Sequence, residues 1–260
     1  MPSETPSDSA TLQRAWTSAE LRDNPHHAAD KAGRVQRMFT SIARQYDLNN
    51  RLHSFGRDQA WRRAAVRLAQ VEPQHRVLDV ACGTGDLAIL FARAGVSEVI
   101  GLDFTPAMLE IARHKADQAN FNLRFEEGDA TSLAFDDATF DVVSIAFGLR
   151  NVDDPHAALR EMRRVLRPGG RLVVLEFSRP RNRVVRACNA LYSNHIMPRT
   201  ASLIARDREG AYRYLPRSID TFMEGDALRS AVQAAGFTGE MSQHPLTFGV
   251  CSVTVARVSR

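Results

Sequence analysis

Three aspartates stand in or just after short apolar runs that read as strands. Asp79 lies within Arg76-Val-Leu-Asp-Val-Ala81, Asp103 ends Glu98-Val-Ile-Gly-Leu102, and Asp129 follows the run Leu123–Glu126 within Gly128-Asp-Ala130. After the first run comes Gly83-Thr84-Gly85, set before a helix, where missing Cβ atoms let backbone N–H groups approach a ligand. Gly83-Thr-Gly-Asp-Leu-Ala88 satisfies the dinucleotide pattern G-x-G-x-x-A, and Asp103 could take both hydroxyls of an adenosine ribose, so these features alone suit NAD or another adenosine ligand. Asp79 tips the balance. In D-x-x-x-G-x-G its carboxylate could hold a cationic amine at the mouth of the turn and would repel a pyrophosphate. Asp129 could accept from an adenine amino group. Three acids at successive strand ends suit S-adenosylmethionine, which carries a sulfonium, an ammonium and no phosphate.

Alternating strands and helices must position these groups. Val35, Met38, Phe39, Ile42 and Tyr46 recur at helical spacing and predict an amphipathic helix ending at Asp47-Leu-Asn-Asn50. A second helix is expected over Arg57–Ala69, followed by strand Arg76–Ala81, helix Asp86–Arg93, strand Glu98–Leu102, helix Pro106–Gln118, and strands Leu123–Glu126 and Phe140–Ile145. Asp154-Pro155 reads as an N-cap with proline in the first turn, and Arg167-Pro-Gly-Gly170 as a breaker leading into strand Arg171–Phe177. Helices are then expected over Asn182–Met197 and Phe222–Gly236, and an antiparallel hairpin ending in Gly249–Val258. Strands separated by helices predict an α/β fold, a doubly wound, mostly parallel sheet with helices on both faces. Residues 1–33 are expected to form a disordered tail, and 34–260 a single domain with an N-terminal helical cap and an inserted lid at about 179–220.

The composition excludes several classes. With 260 residues, 44% apolar and 25% charged, the chain is ordinary globular material. It has neither a long apolar span nor a secretory signal, which predicts a cytoplasmic protein. Cys82, Cys188 and Cys251 lack metal or redox spacing, so no metal is expected. Of 34 basic residues, all are Arg except Lys31 and Lys115, a bias read as compositional rather than as a nucleic-acid footprint.

Val77-Leu-Asp-Val-Ala-Cys-Gly-Thr-Gly-Asp-Leu87, Phe147-Gly-Leu-Arg-Asn151, Leu166-Arg-Pro-Gly-Gly170 with Leu175-Glu-Phe-Ser178, and Tyr212-Arg-Tyr-Leu-Pro-Arg-Ser218 resemble the C-methyltransferases of menaquinone and ubiquinone biosynthesis, as does Tyr46-Asp-Leu-Asn-Asn50. The resemblance runs from about Arg34 to the C-terminus. It implies a Rossmann-like sheet of seven strands, S-adenosylmethionine as donor, and a lipophilic quinol as acceptor. By it, Thr84, Asp103, Asp129 and Ala130 correspond to cofactor-contacting positions, joining Asp79, Gly83 and Gly85. Ala146 departs from the family's frequent serine, Ala81-Cys82 from a glycine in the loop, and Phe248-Gly249 from a glycine pair.

A quinone ring carbon is nucleophilic only in the reduced quinol, most strongly as the phenolate. Ionising a phenol at neutral pH requires about three pK units, roughly 4 kcal/mol. Arg150, after the fourth strand at the carboxyl edge of the sheet, is the expected cation, with Asn151 orienting the oxygen or a water. Tyr46 and Asp47 are placed to close over the cofactor or the ring. His53, His195 and His244 are the histidines that could act as bases. Arg179, Arg181, Arg183 and Arg186, interleaved with apolar residues, could guide an isoprenoid tail from an anionic bilayer, giving peripheral membrane contact. Demethylmenaquinol is the favoured acceptor and a ubiquinone-pathway benzoquinol the alternative. A homodimer is compatible with the sequence. An NAD-dependent oxidoreductase is disfavoured by Asp79, and an RNA methyltransferase by the lack of an Asn-Pro-Pro-Tyr base clamp.

Overall fold

The computed structural model describes residues 14–17, 20–205, 207 and 209–259. Seven strands form one sheet in the order β3-β2-β1-β4-β5-β7-β6, with β1 Arg76–Val80, β2 Glu98–Asp103, β3 Arg124–Glu127, β4 Phe140–Ala146, β5 Leu166–Phe177, β6 Met241–Leu246 and β7 Cys251–Arg257. The first five strands pair in parallel, while β7 runs antiparallel to both β5 and β6, giving the expected terminal hairpin. The winding reverses between β1 and β4, and ligands bind at such a reversal, outside the carboxyl ends of the strands.

Alternation along β1 divides its side chains between two cores. Leu78 and Val80 join the apolar cluster under α5 (Pro155–Val165) and α9 (Asp226–Ala234). Val77 joins the opposite cluster with α2 (Arg57–Ala69), α3 (Asp86–Arg93) and α4 (Pro106–Gln118). Helices α2, α3 and α4 have the expected limits. Asp154 caps α5, its side chain accepting from the N–H groups of His156 and Ala157.

A third cluster lies across the carboxyl edge of the sheet. It joins α1 (Lys31–His53) to α7 (Met197–Ala205) and α8 (Ala211–Thr221), through Met38, Ile42, Met197, Ala201 and Tyr214. The expected end of α1 at Asp47–Asn50 is corrected: the helix runs on to His53, with Asp47 bonded to other elements instead of competing for its own backbone. The helix expected over Asn182–Met197 is α6 (Arg183–Leu191) continued by a π-helical turn at Tyr192–Ile196 into α7, which carries the run on to Ala205, and α8 follows. Phe222 is extended (φ −82°, ψ 155°) and closes α8, so α9 begins at Asp226 and not at Phe222.

The expectation of disorder over 1–33 is also corrected where the chain is described. Trp16 is fully buried and stacks on Tyr214 with 4.6 Å between ring centroids, and Ala15 N–H donates to Glu209 Oε2 at 2.6 Å. Single anchors of this kind leave no periodic pattern to read. Residues 1–13, 18 and 19 of that expected tail lie outside the described residues.

Candidate active site

Two cavities open at the carboxyl edge. The first is lined by Gly83, Asp103, Met108, Asp129 and Ala130 from the sheet side, and by Val35 of α1. The second, of about 380 Å³, is walled by Met38, Ile42 and His53 of α1 together with Trp61, Tyr192 and Tyr214. Phe39, Tyr46, Phe147 and Asn151 line both, so a group held in one cavity faces a group held in the other across a shared wall.

In the first cavity Gly83, at φ +54°, donates its N–H to Asp103 Oδ2 at 2.7 Å, while Thr105 N–H donates to Oδ1 at 2.9 Å. A carboxylate has about four lone-pair sites, so Asp103 keeps acceptor capacity for a diol. Burial pushes its carboxyl above the usual range against these bonds. Asp129 takes the N–H of Thr131 at 2.8 Å and sits beside Ala130 in the cavity wall.

Asp79, expected at the mouth of the turn, does not line this cavity. On β1 it shares the face of Val77, is 1% exposed, and accepts from Ser144 Oγ at 2.7 Å across the β1–β4 register. Its Oδ2 has no partner, and burial raises its pKa to about 7. Asp79 therefore does not reach this cavity directly. Thr84 Oγ1 donates to Asp47 Oδ1 at 2.6 Å and Gly85 begins α3 against Ala112 and Phe125, so the two flank Gly83 without lining either of these cavities. The site nevertheless fits an adenosyl sulfonium. Asp103 and Asp129 face the cavity, an unpartnered buried carboxylate oxygen lies nearby, and a Cβ added at Gly83 would meet only open space.

The Phe147–Asn151 segment forms the divide between the cavities. Phe147 adopts φ +58°, uncommon for a bulky residue, and is pinned from both sides. Its N–H donates to Leu175 O at 2.7 Å, while its carbonyl accepts from Arg150 Nη1 at 2.6 Å and Asn151 Nδ2 at 3.2 Å. Gly148 is required beside it, since a Cβ there would sit 2.6 Å from Ala81 Cβ. Tyr214 donates to Asn151 Oδ1 at 3.1 Å.

Arg150 lines the second cavity but is not a lone cation. Its Nη1 meets Glu176 Oε1 at 2.7 Å, with side chains 6% and 4% exposed, so the expected free charge is corrected to a buried pair. Arg150 Nε and Glu176 Oε2 remain without partners. Glu176 was not foreseen as a site residue; its signal was an acid ending the otherwise apolar run Leu172–Leu175. Tyr46 is half-buried, and desolvation holds its phenol above the usual range, so it is a donor at neutral pH. Of the three histidines, His53 lines the second cavity, its Nδ1 3.0 Å from Tyr192 Oη and its pKa lowered by burial; His195 and His244 line neither of the two.

Residues 27–257 match the model of the ubiE/COQ5 methyltransferase family. A demethylmenaquinone methyltransferase of Deinococcus radiodurans is 47% identical over 239 residues, covering 92% of this chain and 98% of that protein. One of Thermus thermophilus is 48% identical over 219 residues, covering 84% and 98%. A ubiquinone/menaquinone biosynthesis C-methyltransferase UbiE of Teredinibacter turnerae is 41% identical, covering 87% and 92%. Among solved structures, a SAM-dependent methyltransferase of Thermotoga maritima superposes with a TM-score of 0.60 at 21% identity over 85% of this chain and 98% of that one, a likeness of fold. With its paired cavities, reversed-winding sheet and these relatives, the chain belongs to the ubiE/COQ5 methyltransferase family, and its reaction is methyl transfer from S-adenosylmethionine.

Proposed function

We propose that the chain methylates a ring carbon of a demethylated polyprenyl quinol, demethylmenaquinol in the first place. The observation that carries this reading is the second cavity, walled by aromatic and aliphatic side chains and joined to the adenosyl cavity at Phe39, Tyr46, Phe147 and Asn151. A quinone ring fits such walls, and Arg150 and Asn151 would meet its oxygen. The names carried by the Deinococcus and Thermus relatives support the naphthoquinol; the UbiE name of the Teredinibacter relative keeps the benzoquinol as the alternative.

Bound S-adenosylmethionine supplies an electrophilic methyl group on a cationic sulfur. Asp103 holds the ribose hydroxyls and Asp129 the adenine amino group, while the Asp79 charge favours a cationic ligand. On the acceptor side Tyr46 and Asn151 donate hydrogen bonds to the quinol oxygen, and Arg150, its orientation fixed by Glu176 and Phe147 O, stabilises the charge developing there. Phe147 and Trp61, with ring centroids 6.1 Å apart, exclude water from the junction.

The mouth of the second cavity supports peripheral contact with a bilayer. Leu52 and Phe55 at the end of α1, and Val184 and Leu191 on α6, are 49 to 79% exposed, and Phe55 packs against Tyr192 of the cavity wall at 5.7 Å. Arg51, Arg183 and Arg186 are exposed among them, matching anionic headgroups. No described helix is long and apolar enough to cross a membrane.

Label from S-adenosylmethionine, offered with demethylmenaquinol and demethylated benzoquinol in oxidised and reduced forms, tests the reading. Transfer to the reduced lipids alone supports it and ranks the rings; no transfer to any of the four refutes it. Cosedimentation with phosphatidylglycerol vesicles at low salt, weakened in Phe55→Ser/Leu191→Ser, supports the membrane contact, and full recovery in the supernatant refutes it.

A further inference from the structure

We propose that Lys115 is a positioning residue that latches α1 onto the glycine turn and so sets how long the adenosyl ligand stays bound. The chain has 34 basic side chains and only two are lysines, so Lys115 stands out from an arginine background. Its ammonium, on α4, reaches acceptors on three other elements. Nζ lies 2.7 Å from Asp47 Oδ2 on α1 and 3.2 Å from Thr84 Oγ1 in the turn, and it also contacts Asp86 Oδ1 at the start of α3.

The donors and acceptors close on one another. Lysine has three N–H groups, one for each acceptor. The Thr84 hydroxyl accepts from Lys115 and donates to Asp47 Oδ1, and Asp86 Oδ2 accepts from Gln59 Nε2 at 2.7 Å. Burial alone would raise the Asp86 pKa, but Lys115, Arg62 and Gln59 outweigh it and hold the carboxyl below its usual range. A compact point charge can serve three convergent oxygens; a planar guanidinium fork cannot occupy the same place.

Asp47 is the neighbour of Tyr46, which lines both cavities, and α1 also supplies Phe39 to the shared wall and Ala32 and Val35 to the first cavity. Elsewhere α1 is tied to the carboxyl edge by backbone acceptors, Lys31 Nζ donating to Val152 O and Gln36 Nε2 to Phe104 O. At the glycine turn Asp47 accepts directly from Thr84 Oγ1, and Arg51 of α1 lies 3.7 Å from Asp86 Oδ2; Lys115 is the group that bridges Asp47, Thr84 and Asp86 at once. Thr84, matched to a cofactor-contacting position by family resemblance, thus serves the adenosyl site from behind, through Asp47.

The test measures dissociation of S-adenosylhomocysteine, displaced by excess unlabelled ligand, in Lys115→Met, Lys115→Arg, Asp47→Asn and the Lys115→Met/Asp47→Asn double variant. Lys115→Met is expected to speed dissociation about tenfold, and Lys115→Arg not to restore it. The double variant should be no faster than the faster single variant, because both remove one latch. Thr84→Val, which keeps shape and the ion pairs, gives a smaller effect in the same direction. A dissociation rate within about twofold of the parent in Lys115→Met, even with lowered thermal stability, overturns the proposal, as do effects that multiply in the double variant. The readout needs no quinol, so its outcome is separate from that of the acceptor assay.

Discussion

Replacing Glu176 by glutamine tests whether Arg150 works as half of a buried pair. The wild-type guanidinium is neutralised at 2.7 Å by a carboxylate 4% exposed, and that carboxylate oxygen also accepts Phe177 N–H at 2.9 Å. Glu176→Gln leaves the guanidinium charge buried beside a neutral amide, a loss of about 3 kcal/mol or more for a broken buried pair. For a chain of this size each kcal/mol moves the melting temperature by about 2 to 4 °C, so a fall of about 6 to 12 °C is expected at the lower figure. Arg150→Met/Glu176→Gln removes both charges and should recover most of that loss, since an apolar replacement of a buried pair is often close to neutral. Methyl transfer separates stability from chemistry: the double variant should be stable, bind S-adenosylhomocysteine within a few fold of the parent, and fail to methylate. Melting of Glu176→Gln within 1–2 °C of the parent would refute the pairing argument. Wild-type turnover in the double variant would remove Arg150 from the chemistry.

The remaining expectations concern titration and the N-terminal anchor. Asp79 has a folded pKa of about 7, above its unfolded value, so below pH 7 the free protein mostly holds the proton, and its contribution to stability is lost as pH rises from about 4 through 7. A cationic ligand favours the ionised form, so affinity for S-adenosylmethionine should rise between pH 6 and about 8, with proton release measured by calorimetry in two buffers; Asp79→Asn should flatten both. His26, half-buried with Nε2 3.0 Å from Ser218 O, has its pKa lowered by desolvation to about 4. Its stability contribution is present above the unfolded value near 6.5 and lost as pH falls through 4, so His26→Gln should blunt acid unfolding followed by Trp fluorescence. Trp16→Ala removes the ring stacked on Tyr214, whose hydroxyl bonds Asn151; a loss of about 3 kcal/mol in urea unfolding is expected, together with a lower kcat at unchanged adenosyl affinity.

Most of the elements were legible because their signals are local. The cap at Asp154 and the apolar runs at β1, β2 and β4 each need only neighbours in sequence, and all fall where capping and periodicity put them; β5 instead starts at Leu166 and takes in Arg167–Gly170, ahead of the start expected at Arg171. Asp103, Asp129 and Gly83 were legible for the same reason: each sits at the end of its own strand, and every parallel strand end in this architecture reaches one edge. Partnership was not legible. Glu176 meets Arg150 because β4 lies beside β5 in a register that pairs Ala146 with Leu175, which brings the residues just past each to the same place. That pairing depends on strand order, which the apolar runs do not encode. Asp79 shows the limit from the other side. Its place in the strand was read correctly, but the alternation that puts Leu78 and Val80 on one core puts Asp79 on the opposite face with Val77, against Ser144 and away from the mouth of the turn. Period two applied to that single strand could have made the correction. The consequence is chemical: an acid that touches the ligand would be read by its loss of contacts, whereas one acting through its charge alone must be read by its titration.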